Sequence, residues 1–91
     1  MEAEAAALVT IVNKWGLHAK ASFAMASMAA GFEARITVEK GDMSADAKKM
    51  DELLILCAGP GDGIRIKAEG PGARRAVDNL VRLVRSGFGE P

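Results

Sequence analysis

The run Asn13-Lys14-Trp15-Gly16-Leu17-His18-Ala19-Lys20-Ala21-Ser22 joins two different periodicities. Before it, Ala5 to Val12 reads as a strand, strongest over Leu8-Val9-Thr10-Ile11-Val12. After it, small residues and methionines (Ala21, Ala24, Met25, Met28, Ala29) continue at helical spacing to about Ala30, with Gly31 as the stop. Lys14 to Gly16 form the loop between them. His18, the only histidine of the chain, falls near the N-cap of that helix. The first turn of a helix carries backbone N–H groups with no intrahelical acceptor, and its dipole favours negative charge. An imidazole at such a mouth is well placed to carry a phosphoryl group.

Working outward, Glu33 to Glu39 alternates, with Ala34, Ile36 and Val38 on one face, and predicts a half-buried strand. Lys40-Gly41-Asp42 is a turn, and Met43 to Asp46 a short strand after it. Lys49 to Cys57 reads as a short helix with Met50, Leu53, Leu54 and Cys57 at helical spacing. Gly59-Pro60-Gly61-Asp62-Gly63 breaks it, and Ile64 to Ala68 alternates again. After Gly70-Pro71-Gly72 a last helix runs from Ala73 to Ser86, its apolar stripe formed by Ala73, Ala76, Val77, Leu80, Leu83 and Val84. Asp78 and Arg82 are expected to pair across one turn of it. The order is β-α-β-β-α-β-α. Each clearly patterned strand has one apolar face. That predicts an α+β fold: one four-stranded antiparallel sheet, three helices on one face and water on the other.

At 91 residues the chain is expected to be one small domain, residues 1–91, with no room for a separate catalytic lobe. Twelve basic residues balance twelve acidic ones, and aromatics are few, so nucleic-acid binding is not expected. Cys57 is alone, which excludes a disulfide framework and a cysteine metal cluster and fits a reducing cytoplasm. The N-terminus lacks the pattern of a signal peptide, and Leu53 to Ala58 is too short to span a bilayer. No paired carboxylates or nucleophile–base pair stand out, so a self-contained enzyme is not expected.

Gly16-Leu17-His18-Ala19-Lys20 resembles the active-site signature of HPr, the histidine-containing phosphocarrier of the phosphoenolpyruvate-dependent phosphotransferase system. That family's pattern is Gly-(Leu or Ile)-His-Ala-Arg-Pro-Ala. Length, element order and the terminal Gly87-Phe88-Gly89-Glu90 are similar too, so the resemblance covers nearly the whole chain. The Ala21-Ser22 pair after Lys20 resembles the nitrogen-related branch. The resemblance implies the HPr-like open-faced β-sandwich. It also implies that enzyme I donates a phosphoryl group to Nδ1 of His18 and that an enzyme IIA-type protein accepts it, with possible regulatory proteins as further partners. No cofactor and no metal are implied. A monomer suits a carrier that docks two partners in turn through one face.

Within this reading the N–H groups of Ala19 and Lys20 cradle the phosphate. Lys20 replaces the family arginine, keeping the charge but losing the planar fork. Ala21 replaces a proline. Partner contact is expected from Trp15, Ser22, Lys49, Met50 and Leu54. Many HPr proteins carry a regulatory serine within Lys-Ser-Ile-Met-Gly at the start of the second helix. A gapless match puts Lys49 at that serine, Asp51 at an apolar contact position and Glu52 at the glycine. Regulation by a serine kinase is therefore not expected at Lys49.

Blander readings compete. A lone histidine in a small domain is more often a cap or a surface residue, but the motif in its slot favours the phosphoacceptor. Met25 and Met28 read as core filling, Lys14 as solvated, and Cys57 as a small buried apolar residue. The remaining core and loops are expected to carry no further chemistry. Two other functions fit parts of the pattern. One is an HPr-like regulatory module whose partner binding is switched by His18 phosphorylation. The other is a small-molecule-binding regulatory domain, which explains the topology but not Gly16 to Lys20.

Overall fold

A computed structural model describes residues 3–90. Four strands, β1 (Glu4–Thr10), β2 (Arg35–Lys40), β3 (Met43–Asp46) and β4 (Gly63–Glu69), form one antiparallel sheet in the order β1-β4-β2-β3. Three helices, α1 (Ala19–Ala30), α2 (Met50–Ile55) and α3 (Ala73–Arg85), cover one face. A short left-handed turn, Gly87–Gly89, follows α3 and was not anticipated from the sequence. The expected α+β fold with an open sheet face is the one observed.

Alternation drives the layering. Ile64, Ile66 and Ala68 of β4 are buried while Arg65, Lys67 and Glu69 are exposed. The same holds for Ile36 and Val38 of β2. In α3, Ala73, Ala76, Val77, Leu80, Val81 and Val84 face the sheet. Gly41 closes the β2–β3 hairpin at φ +58°, a conformation open to glycine at little cost, and Lys40 pairs with Met43 across it.

Several local readings are corrected. β1 ends at Thr10 rather than Val12. Ile11 leaves the ladder of β4 and exchanges backbone hydrogen bonds with Gly61 and Asp62 of the loop before it. The second helix spans Met50–Ile55, not Lys49 to Cys57. Lys49 is its N-cap and Leu56 its C-cap. Cys57 then turns into left-handed backbone at φ +50° and is exposed, not buried. Once the helix stops, helical spacing no longer places Cys57 on the inner face; its neighbours Leu56 and Ala58 are buried instead. Met28 is only half-buried, unlike Met25. On α3, Asp78 pairs with Arg74, the residue one turn earlier, at 4.0 Å, and Arg82 donates to Asn79 Oδ1 at 3.2 Å. The expected Asp78–Arg82 pair is thus replaced by contacts on the N-terminal side of each residue.

Two features place the loop that carries His18. Gly16 adopts φ +61°, and a Cβ there would lie 2.1 Å from the Ala58 carbonyl oxygen, so only glycine fits against the α2–β4 loop. Leu17 N–H then donates to Ala58 C=O at 2.9 Å, and the Leu17 side chain is buried. The receiving loop is itself fixed. Lys40 Nζ donates to the carbonyls of Leu56 and Cys57 at the end of α2, at 3.1 and 3.2 Å. Asp62 accepts from Gly59 N–H at 2.8 Å, and that bond, with Lys40 nearby, holds its carboxyl below the usual range.

Candidate functional site

His18 is the N-cap of α1 in extended backbone, as the sequence suggests. Its carbonyl accepts the first helical bond, from Ser22 N–H at 2.8 Å, so the N–H groups of Ala19, Lys20 and Ala21 all precede the intrahelical ladder. No acidic residue lies in this first turn. The positive end of α1 therefore has no carboxylate of its own helix to neutralise it.

The two imidazole nitrogens have separate partners. Lys20 N–H approaches Nδ1 at 3.4 Å, a long contact. Nε2 lies 2.7 Å from Oε2 of Glu90, a residue 72 positions away. The Glu90 carboxyl is held below the usual carboxylate range, first by the His18 hydrogen bond and next by one from Asn13. It is therefore an acceptor only at neutral pH, so Nε2 carries the ring proton and donates to it. A backbone N–H can only donate, so Nδ1 offers its lone pair to Lys20. Both partners suit the arrangement in which Nε2 carries a proton and the Nδ1 lone pair faces the helix mouth. The His18 side chain is 32% exposed and that of Glu90 only 8%.

Glu90 is the residue the sequence reading missed, and it corrects the expectation of no chemistry outside the histidine segment. Its route to the site is short but unusual. Gly87, Phe88 and Gly89 all take positive φ, +68°, +58° and +73°. Left-handed backbone costs Phe88 about 1–2 kcal/mol, offset by burial of its ring. This left-handed turn reverses the chain after α3 and delivers Glu90 to His18. The available signal was the Gly-Phe-Gly triplet before a carboxylate, together with an imidazole that needed a second partner.

Asn13 joins the same network. Its side-chain amide donates to Gly16 C=O at 2.9 Å and to Glu90 Oε1 at 3.1 Å. Its Oδ1 is buried and makes no hydrogen bond to another described residue. Lys14, Trp15, His18, Lys20 and Glu90 line an open groove of about 420 Å³. Lys20 thus faces the space where an anion would bind, and its positive charge also helps lower the Glu90 carboxyl. Trp15 is exposed, with Lys14 Nζ 5.1 Å from its ring centroid.

The expected docking residues divide. Trp15, Lys49 and Leu54 are exposed, and Met50 is half-buried. Ser22 is a correction: its side chain is fully buried and its hydroxyl donates to Leu17 C=O at 2.9 Å. It locks the loop before α1 and offers a partner nothing. Two exposed apolar side chains went unremarked, Phe23 at 63% exposure and Ile55. Phe23 stands one turn after Ala19 on the same face of α1. Glu52 accepts from Asp46 N–H at 2.8 Å. Among the described residues, no group of three or more His, Cys, Asp or Glu could hold a metal ion, and no helix is long and apolar enough to cross a membrane.

A sheet of this order with a histidine-capped first helix defines a class of phosphoryl carriers, and comparison with known proteins agrees. The family model described as "PTS HPr component phosphorylation site" matches residues 5–86. The chain is 40% identical over 82 residues to the phosphocarrier protein NPr of Shewanella violacea, covering 90% of each chain. It is 35% identical over 81 residues to the phosphocarrier protein HPr of Cupriavidus necator, covering 89% of this chain and 91% of that one. Among solved structures, HPr-C-His from Thermoanaerobacter tengcongensis superposes with a TM-score of 0.92 at 32% identity, covering 96% of this chain and 98% of that one. The chain belongs to the HPr family of the phosphotransferase system, and its function is that of an HPr/NPr-type phosphocarrier.

Proposed function

We propose that His18 is the phosphoacceptor, that enzyme I of the phosphotransferase system is the donor, and that an enzyme IIA-type protein takes the phosphoryl group onward. The observation that carries this reading is the pairing of Nε2 with Glu90, which leaves the Nδ1 lone pair at the mouth of α1. In the transfer, Nδ1 attacks phosphorus and a P–N bond forms. The bond between phosphorus and the donor's carrier atom breaks, and its electron pair returns to the donor. The proton on Nε2 stays on the ring, and Glu90 stabilises the positive charge that develops there. The transition state is loose, so positioning and charge matter most.

The N–H groups of Ala19 and Lys20 cradle the transferred oxygens, with the Lys20 ammonium adding a point charge. The 3.4 Å bond from Lys20 to Nδ1 is weak enough to be exchanged for a phosphoryl oxygen. Trp15, Phe23, Leu54 and Ile55 supply exposed apolar contact area for the two protein partners, with Lys49 and Met50 beside them. On this reading residues 1–91 act as one cytoplasmic, monomeric carrier domain. It is a substrate of phosphotransferases rather than an enzyme with its own turnover, and it needs no cofactor.

Incubation with phosphoenolpyruvate and enzyme I, followed by intact mass, tests it. One acid-labile phosphate is expected, absent in His18→Ala. A phosphate that persists in His18→Ala, or none in the native chain beside an active enzyme I, would refute the assignment.

A further inference from the structure

We propose that Asn13 is a positioning residue for phosphoryl transfer: its side-chain amide holds the Glu90 carboxylate on the Nε2 side of His18. The inference rests on the reading of His18 as phosphoacceptor and extends it to a residue that touches neither the ring nor the phosphate.

The geometry separates this role from simple loop closure. One bond of the amide, to Gly16 C=O three residues on, closes the loop before the histidine. Loop closure needs no more than that. The second bond crosses 77 positions of sequence to Glu90. The two acceptors belong to the two segments that meet at the imidazole, the loop that leads to it and the tail that returns to it. An –NH₂ group supplies one hydrogen to each, whereas a serine hydroxyl has only one and an aspartate none.

Burial sharpens the point. Asn13 is 6% exposed, and its amide orientation is fixed because both neighbours are acceptors. The carbonyl half is consequently buried with no partner. The tail backbone packs directly behind this residue, since a Cβ at Gly87 would sit 3.7 Å from Asn13 Cβ. Asn13, Glu90 and His18 therefore form a chain of contacts at 3.1 and 2.7 Å. Its middle carboxylate has both oxygens engaged and is only 8% exposed, so it has little freedom to leave the imidazole. A carboxylate held in this way fixes the tautomer that exposes Nδ1.

The test is a double-mutant cycle on the full chain with Asn13→Ala, Glu90→Ala and both, read in two ways. In the native background Asn13→Ala should slow phosphoryl acceptance from enzyme I roughly tenfold, a common cost of losing a group that orients a reactive ligand. In the Glu90→Ala background the same substitution should change the rate by less than about twofold, because Asn13 acts through Glu90. The second readout is the ¹⁵N spectrum of His18 at neutral pH without any phosphoryl donor. The native chain should show the Nε2–H tautomer, and Asn13→Ala a mixture. Asn13→Asp, nearly isosteric, repels Glu90 and should give the same mixture; it serves if the alanine variant does not fold. Rate effects that multiply independently, or an unchanged tautomer in a folded Asn13 variant, would overturn the proposal. Because the tautomer is read without a donor, failure of His18 to accept phosphate is distinguished from failure of this inference.

Discussion

The N-termini of α1 and α2 are both helix mouths on the same side of the sheet, yet they are finished in opposite ways. At α1 the cap is His18, the first turn holds no acid, and the imidazole itself receives the Lys20 N–H. At α2 the cap is Lys49, which makes no side-chain capping bond, and the first turn holds Asp51 and Glu52. Glu52 reaches back to Asp46 N–H and lies 3.8 Å from Lys49 Nζ. The second mouth thus satisfies its dipole with its own carboxylates. The first keeps its positive end for a visitor. An open N-terminus capped by an imidazole suits the phosphoryl transfer proposed at His18.

Filling the first mouth should break this contrast with the largest effect. Ala19→Glu places a carboxylate in the first turn of α1, at an exposed position. The helix should gain about 0.3–1 kcal/mol from its dipole. Phosphoryl acceptance should fall roughly tenfold, because the new charge competes with the phosphate for the same N–H groups. A raised melting temperature beside a lowered rate would establish that the open mouth is kept at the expense of stability. An unchanged rate would mean that α1's positive end contributes nothing to transfer.

Acid titration sharpens the comparison next. Glu90 is held below the usual carboxylate range, so it binds fewer protons folded than unfolded. The stability this gives is fully present above the unfolded value, about pH 4.3, and is lost as pH falls through the lower folded value. Glu90→Gln lacks that loss. The two proteins should differ in denaturant midpoint at pH 7, and the gap should close below about pH 4. A gap that persisted into acid would show that Glu90 stabilises the tail by packing rather than by charge.

The smallest effect is expected at the second mouth. Lys49→Ser supplies the missing capping hydroxyl and should stabilise the protein by about 0.5–1 kcal/mol in urea unfolding. It should still not be phosphorylated efficiently by an HPr kinase, because Asp51 and Glu52 remain in the turn where phosphate would sit. Efficient phosphorylation of Lys49→Ser would show that those acids do not close the second mouth.

Much of this architecture was legible in the chain because it depends on spacing within a few residues. The two-residue alternation of Ile64, Ile66 and Ala68 fixes which face of β4 is buried. Gly41 announces its hairpin, and the change from strand to helical spacing around Gly16 to Ala19 puts His18 at a cap. Errors fell where a local pattern met its end. Cys57 keeps helical spacing on paper, but the helix has stopped two residues earlier. Ser22 follows the motif closely enough to look like a contact, but its hydroxyl turns back to Leu17.

By itself, the sequence determined the layers, the turn positions and the place of His18 at a helix cap, since each follows from periodicity and from local capping chemistry. The tertiary structure alone decided which nitrogen of that imidazole faces the helix mouth. That choice depends on where the chain returns after α3, and on a left-handed turn at Gly87 to Gly89 that brings a carboxylate across 72 positions to within 2.7 Å of the ring. No spacing rule reaches that far. The contact exists because packing of α3 on the sheet fixes the start of the tail, while Asn13 and His18 hold its end.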